Sequence, residues 1–304
     1  ELDEIIDGLK QPEKMISQKY FYDERGSQLF EEITTLPEYY PTGTELGIMQ
    51  NNIDEIAALV GPQASLIEFG SGSSLKTRIL LAHLEDLAVY VPVDISEELL
   101  FAAAHQLRSE FPDVEIMPVV ADFTRQFALP NPTVMPRRNV VYFPGSTIGN
   151  FTHEAAHELL CVMHHEAGKD GALLIGVDLQ KDPEVIEAAY NDSAGVTAKF
   201  NLNMLRHLNR EFDSDFDLDT WSHQAHYNRD EGRIELRLIS DRDQRVSVGP
   251  EVISISAGEG ILTEYSHKYT LEGFADIAGD AGFRVEKVWT DPQRLFSVQY
   301  CVRD

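Results

Sequence analysis

Residues 67–77 read IEFGSGSSLKT, and this stretch decides the fold. An apolar run ends at Glu68-Phe69. Gly70 and Gly72 then let the backbone turn tightly and approach a ligand. Ser73 or Ser74 is suited to cap a following helix. The pattern is a nucleotide-type loop at the carboxyl end of a first strand. A dinucleotide fold would need G-x-G-x-x-G, whose third glycine lets helix and strand pack closely. Leu75 stands at that position, so the fingerprint fails. No G-x-x-x-x-G-K-[ST] occurs either, so there is no P-loop. Glu68 followed by Gly70 and Gly72 suits a cofactor with no pyrophosphate. Ser71 lies inside the loop and Lys76 just beyond it.

Outward from the loop, strand-like runs recur at 65–69, 89–95, 114–121, 139–144 and 172–178, with helical stretches between them. They are almost continuously apolar, as parallel strands buried on both faces are. Their alternation with helices predicts a doubly wound α/β sheet. The second and third runs end in carboxylates. Asp94, in VPVDIS, follows the glycines at about the spacing of a ribose-hydroxyl acceptor, roughly 20 residues. Asp122, in VVADF, is placed to accept from an adenine amino group, with Phe123 beside the ring. A lone Gly-x-Gly is usually only a turn, and strand-end carboxylates often cap helices. All three in order, on successive strands, are far more specific. The tail reads as helix 271–282 and strands 283–289 and 296–302, an antiparallel pair at one end of the sheet.

Two segments do not belong to that sheet. Residues 1–60 look helical, with a Pro/Tyr break at 36–42. Residues 181–268 hold two helical stretches and then the alternating runs HQAHYNRD, GRIELRLIS, QRVSVG and ILTEYSHKYT. The expected division is therefore 61–180 with 269–304 as the core, 181–268 as an inserted α+β substrate domain, and 1–60 as a helical contribution to it.

Charge narrows the partners. The chain of 304 residues carries 51 acidic and 25 basic side chains, a net of −26. Such a surface repels phosphate backbones and anionic lipid, so neither nucleic acid nor membrane is an expected partner. No apolar run is long enough to span a bilayer, and the acidic start ELDEIIDGLKQPEK has no signal-peptide pattern. Cys161 and Cys301 form no disulfide framework or metal-type spacing. The expectation is a cytoplasmic monomer.

One motif points elsewhere. His153-Glu154-Ala155-Ala156-His157 matches H-E-x-x-H, which on a helix pairs two zinc ligands with a general base. The metzincin extension fails at Leu160, where glycine is needed. His164, His165 and Glu166 lie too near on the same helix to supply a separate third ligand. The bland reading, a polar helix facing water, is preferred to a zinc hydrolase, and no metal is expected.

Longer blocks carry a specific resemblance. KYFYDERGSQLFEEITTLPEYYPTGTE (19–45), EFGSGSSLKTR (68–78), FPGSTIGNF (143–151), AAYNDSAGVTAKFNLNML (188–205), FDSDFDL (212–218) and ILTEYSHKY (261–269) resemble the histidine-specific Nα-methyltransferases of ergothioneine biosynthesis. The likeness runs in order from about residue 15 to the end. It implies a class I, Rossmann-like methyltransferase core of seven strands with an added substrate domain. It implies S-adenosylmethionine as donor and three methylations of the histidine α-amine, giving hercynine. By the same resemblance Gly70, Ser71, Lys76, Asp94, Asp122 and Phe123 hold the donor. Tyr22, Tyr39, Gly145, Asn150, Tyr190, Glu264 and Ser266 surround the histidine. Leu236 stands in the substrate wall where the family leads one to expect Met, a swap close in volume.

The same residues make physical sense. In an extended T-E-Y-S run, Glu264 and Ser266 point to one face, as two partners of one imidazole must. Asn150 can accept from the amine through its carbonyl, or it can merely cap the next helix. Phenols suit a carboxylate, with Tyr22, Tyr39, Tyr40 and Tyr190 as candidates; spacing does not choose between Tyr39 and Tyr40. Catalysis would be mostly alignment, with Asn150 and Tyr39 nearest the reacting amine. A rival keeps the fold but methylates another amino acid, such as an indole one. Glu264 and Ser266 argue against it, because indole has a single N–H.

Overall fold

The computed structural model describes residues 1–304. Its helices are α1 (Leu2–Leu9), α2 (Glu24–Thr34), α3 (Tyr40–Val60), α4 (Leu75–His83), α5 (Glu97–Glu110), α6 (His153–Ala167), α7 (Pro183–Tyr190), α8 (Val196–Glu211) and α9 (Leu271–Asp280). Its strands are β1 (Ala64–Phe69), β2 (Val89–Asp94), β3 (Val119–Val120), β4 (Arg138–Phe143), β5 (Ala172–Asp178), β6 (Trp221–Asn228), β7 (Arg233–Ser240), β8 (Gln244–Val248), β9 (Glu251–Ile255), β10 (Gly260–His267), β11 (Phe283–Thr290) and β12 (Phe296–Arg303). Two compact units result: Glu1–Tyr40 with Lys181–Lys268, and Pro41–Gln180 with Tyr269–Asp304.

The second unit is a seven-stranded sheet in the order β11-β12-β5-β4-β1-β2-β3. β1 to β5 run parallel, while β12 pairs antiparallel with both β5 and β11. The chain moves outward from β1 to β3, then returns to start again at β4. The order thus reverses between β1 and β4, the point where open α/β sheets bind ligands beyond their carboxyl ends. β1 and β5 are buried along their whole length, because helices cover both faces. Residues of α3, α4 and α5 pack on one face, and those of α6 and α9 on the other. Residues 41–60, read from sequence with the substrate segment, pack here instead: Ile48, Met49, Ile53, Ile56 and Val60 join the core against β1 and β4. The expected run at 114–121 shortens to Val119–Val120 and a single bridge at Ile116. Pro118 has no N–H to continue the ladder.

The first unit holds a three-stranded antiparallel sheet, β10-β7-β6, and a β8–β9 hairpin whose second strand the sequence reading did not mark. α8 packs along α2, burying Phe200, Met204, Leu205 and Leu208. The block FYDERGS explains itself locally. Asp23 caps α2 by accepting from Gly26 N–H at 2.7 Å and also holds Asn203 and Arg210. Any Cβ on Gly26 would run into the carbonyl of Phe21. One irregularity proves important: β10 carries a bulge between Leu262 and Glu264 against β7.

Candidate active site

Within the Pro41–Gln180/Tyr269–Asp304 unit, the candidate donor residues gather along one sheet edge. β1, β2 and β3 are neighbours, so the loops that follow them bring together Gly70–Gly72, Asp94 and Asp122. Gly70 and Gly72 have φ of +139° and +73°. A Cβ on Gly72 would collide with the Tyr90 hydroxyl, so only glycine fits there. Ser74, not Ser73, caps α4, while Ser71 Oγ donates to Ser73 Oγ at 3.2 Å. Glu68 lies buried under the loop and accepts from Thr77 Oγ1 at 2.6 Å. Burial pushes its carboxyl up to about 7.

Asp94 does local work with one oxygen, and Asp122 with both, its Oδ2 lying 3.9 Å from Arg125 Nε. Asp94 Oδ1 accepts from Ser96 N–H at 2.9 Å. Asp122 Oδ1 accepts from the N–H and hydroxyl of Thr124, at 3.0 and 2.6 Å. These turns fix the carboxylates and leave Oδ2 of Asp94 for a ligand hydroxyl. Phe123 stacks on Phe69 with centroids 5.3 Å apart and makes a flat apolar wall beside Asp122. The set fits an adenosine group: acceptors for hydroxyls and amine, an aromatic face, and a glycine turn with no third glycine.

Lys76 has a protein partner that the sequence reading did not name. Its ammonium pairs with buried Glu45 at 2.7 Å, and Glu45 also accepts from Gly145 N–H at 2.9 Å. Glu45 fits because position 176 is glycine; a Cβ there would strike its carboxylate. The sequence reading missed Glu45. It ties α3 to α4 and to the GSTIGN loop, where Gly145 (φ +81°) and Ser146 (φ +53°) take left-handed conformations. Ser146 Oγ accepts from Asp178 N–H at 2.8 Å, holding that strained turn. Thr152, not Asn150, caps α6. Asn150 sits in the turn Thr147–Asn150 with its side-chain amide uncommitted.

Within the Glu1–Tyr40/Lys181–Lys268 unit, the candidate substrate residues also meet. Tyr39 packs edge-on against Tyr190 at 5.9 Å and against Phe30. Burial, with Tyr190 beside it, raises the Tyr39 phenol well above its ordinary value. Tyr40 is drawn off: its hydroxyl accepts from Lys181 Nζ at 2.6 Å. Tyr22 packs on Phe30 and Phe200 and stays 46% exposed. Leu236 lies directly across from Glu264 and is fully buried with Ile186, Tyr190 and Tyr227. It is a floor beneath the carboxylate.

Opposed residues of antiparallel strands share a face. Glu264 and Ser266 lie opposite Leu236 and Ile234, so both rise from the face that carries Tyr190. The Glu264 carboxylate makes no hydrogen bond, and burial pushes it up to about 7 against the opposing pull of the nearby Lys268 charge. A buried network that the sequence did not reveal fixes this face. Thr263, the bulge residue, donates to Asn201 Oδ1 at 2.7 Å, and Asn201 Nδ2 donates to His223 Nδ1 at 2.9 Å. His223 Nε2 donates to the Tyr190 carbonyl at 2.8 Å. Burial lowers the His223 value, which keeps the ring neutral as these two bonds require.

The HEAAH pair gains nothing from the fold. His157 Nε2 lies 3.8 Å from Cys161 Sγ, the His153 ring lies beside Tyr269, and no group of three His, Cys, Asp or Glu is placed to hold a metal. Cys161 and Cys301 are both free. A cavity of about 960 Å³ between the start of α3 and the β11–β12 turn contains none of the candidate residues.

The sheet order and donor loop define a class I, S-adenosylmethionine-dependent methyltransferase. The CcbJ methyltransferase from Streptomyces caelestis has the same fold, with a TM-score of 0.50 over 84% of this chain and 96% of that chain, at 10% identity. The model of the histidine-specific, S-adenosylmethionine-dependent methyltransferases matches residues 2–303, and the chain belongs to that family. It is 40% identical over 302 residues to the histidine N-alpha-methyltransferase of Mycolicibacterium smegmatis, covering 97% of this chain and 92% of that protein. It is 39% identical to the one of Mycobacterium tuberculosis, covering 99% and 94%. No helix is long and apolar enough to cross a membrane.

Proposed function

We propose that this chain methylates the α-amino nitrogen of L-histidine three times, giving the betaine hercynine, as a cytoplasmic monomer. The observation that carries the reading is the pair Glu264 and Ser266. They stand on one strand face, flanked by Tyr39 and Tyr190, with the Glu264 carboxylate still lacking a partner. An imidazole N–H satisfies that carboxylate and the second ring nitrogen meets Ser266. Phenols of Tyr22, Tyr39 and Tyr190 are suited to the α-carboxylate.

S-adenosylmethionine supplies a methyl group that is already electrophilic. The protein's part is therefore alignment and proton handling. Asp94 and Asp122 hold ribose and adenine, with Phe123 against the ring. A free α-amine has a pKa of about 8, so delivering it neutral costs little. The Asn150 carbonyl accepts from the amine N–H and aims its lone pair. Each transfer would release S-adenosylhomocysteine, and the first two methylated ammoniums would each lose a proton to solvent before the next; tyrosine faces favour the final permanent cation. Mass spectrometry of a reaction with L-histidine, donor and a chelator tests the reading. Trimethylated histidine is expected; no methylated histidine, or strict dependence on zinc, overturns it.

A further inference from the structure

A buried ammonium beside the candidate pocket is one that motif reading passed over. Lys268 continues the parity of Glu264 and Ser266 and is only 3% exposed. Its ammonium donates to Ser266 Oγ at 3.1 Å and to the Tyr190 hydroxyl at 2.8 Å. Two fixed acceptors on different elements, α7 and the end of β10, hold it in place.

Donor and acceptor arithmetic gives this contact a direction. An ammonium has three donors and no acceptor. Ser266 therefore receives a hydrogen bond from Lys268, and Lys268 is its only partner in the structure. The Ser266 hydroxyl proton has nowhere to go, although the residue is 5% exposed. Buried hydroxyl protons find acceptors, so whatever meets Ser266 must bring a lone pair. Two residues away the requirement reverses: the Glu264 carboxylate lacks a partner and needs a donor. One neutral imidazole meets both demands in a single tautomer, N–H toward Glu264 and bare nitrogen toward Ser266. An imidazolium presents two N–H groups; Ser266 could accept one through its remaining lone pair, but the hydroxyl proton would still find no acceptor. A pyrrole or indole ring supplies the N–H and no lone pair.

We propose that Lys268 is a positioning residue for specificity: by donating to Ser266 it turns that hydroxyl's proton away from itself and toward the ligand, so the pocket favours a neutral ring carrying one N–H and one bare nitrogen. This rests on the histidine reading above. The probes are L-histidine and the two pyrrolylalanine isomers, which keep one N–H and replace the other nitrogen by C–H. Affinities are measured by calorimetry with S-adenosylhomocysteine present. The wild-type protein should bind histidine at least about tenfold tighter than the better pyrrolylalanine, the cost of an unmet buried donor. Lys268→Met frees the Ser266 hydroxyl to turn away, and Ser266→Ala removes it. Each should cut the histidine-to-pyrrole ratio several-fold, while S-adenosylhomocysteine affinity is unchanged. A purely structural lysine would weaken both ligands together and keep the ratio. An unchanged ratio in Ser266→Ala overturns the proposal even if Lys268→Met does not fold. If the wild type binds no histidine at all, the histidine reading itself fails.

Discussion

The donor loops of the Rossmann-like unit and the pocket strand of the α+β unit treat their polar groups in opposite ways. Around the glycine loop nearly every polar side chain has a protein partner: Glu68 with Thr77, Lys76 with Glu45, Asp94 with Ser96 and Asp122 with Thr124. On β10 the Glu264 carboxylate has none and the Ser266 proton has no acceptor. The first region is a preformed cradle for a group shared by a large class of enzymes. The second withholds its hydrogen bonds for one ligand, and a wrong ligand leaves buried polar groups unmet. Specificity built this way comes from the penalty for unpaired groups, not from added attraction.

The largest test of the contrast is Glu45→Ala. It strands the Lys76 ammonium and the Gly145 N–H in the interior, and breaking a buried pair from one side costs about 3–5 kcal/mol. Urea unfolding should show a loss of that size. A loss under about 1 kcal/mol would mean that the donor side is not prebuilt. Asp94→Ala should weaken S-adenosylhomocysteine by about 1.5–3 kcal/mol in calorimetry, since its uncommitted oxygen is placed for the ribose. Unchanged affinity would reduce Asp94 to the cap of Ser96.

Glu264→Ala should leave donor affinity alone and weaken histidine by about 1–3 kcal/mol. The ratio of kcat/KM for histidine to that for tryptophan should then fall. Equal proportional losses for both substrates would place Glu264 outside the ring-reading site. The smallest effect is on stability. The Glu264 carboxyl is raised by burial to about 7, so the native state binds its proton more tightly than the unfolded chain does. Its stabilising contribution is full below the ordinary carboxylate value and is lost as pH rises toward 7. Glu264→Gln removes that loss. Its Tm should exceed wild type by a few °C above pH 7 and converge with it near pH 4.5. A variant less stable than wild type at pH 8 would show that Glu264 has a structural partner.

Much of the sheet was legible because buried parallel strands are apolar throughout, and the donor loop because its residues are contiguous. Pro118 shortened one strand, and residues 41–60 changed unit because a helix's apolar stripe does not name its partner. The pocket was another matter. Tyr22, Tyr39, Tyr190, Leu236 and the Glu264/Ser266 pair come from five separate places, and beyond the strand parity of that pair no spacing rule joins them. Only the likeness of whole blocks to a family pointed to them. Glu45 was overlooked because an acid in a helix reads as a solvated residue. Lys268 could have been found by extending the parity of Glu264 and Ser266 by one more step.

The bulge at Thr263 gives β10 something like a reading frame. Ile261 lies opposite Leu238, and Glu264 lies opposite Leu236 two residues on, so the extra residue switches the inward set from odd to even positions. Without the switch Thr263, Tyr265 and His267 would face the pocket, while Glu264, Ser266 and Lys268 would join the Arg233–Glu235–Arg237 face. The chemistry thus depends on a count as well as on residue identity. Substitutions along this strand could change the pocket one residue at a time, but losing or gaining one residue after Leu262 would exchange the whole set at once. The Asn201–Thr263 hydrogen bond guards that count, marking where the frame begins.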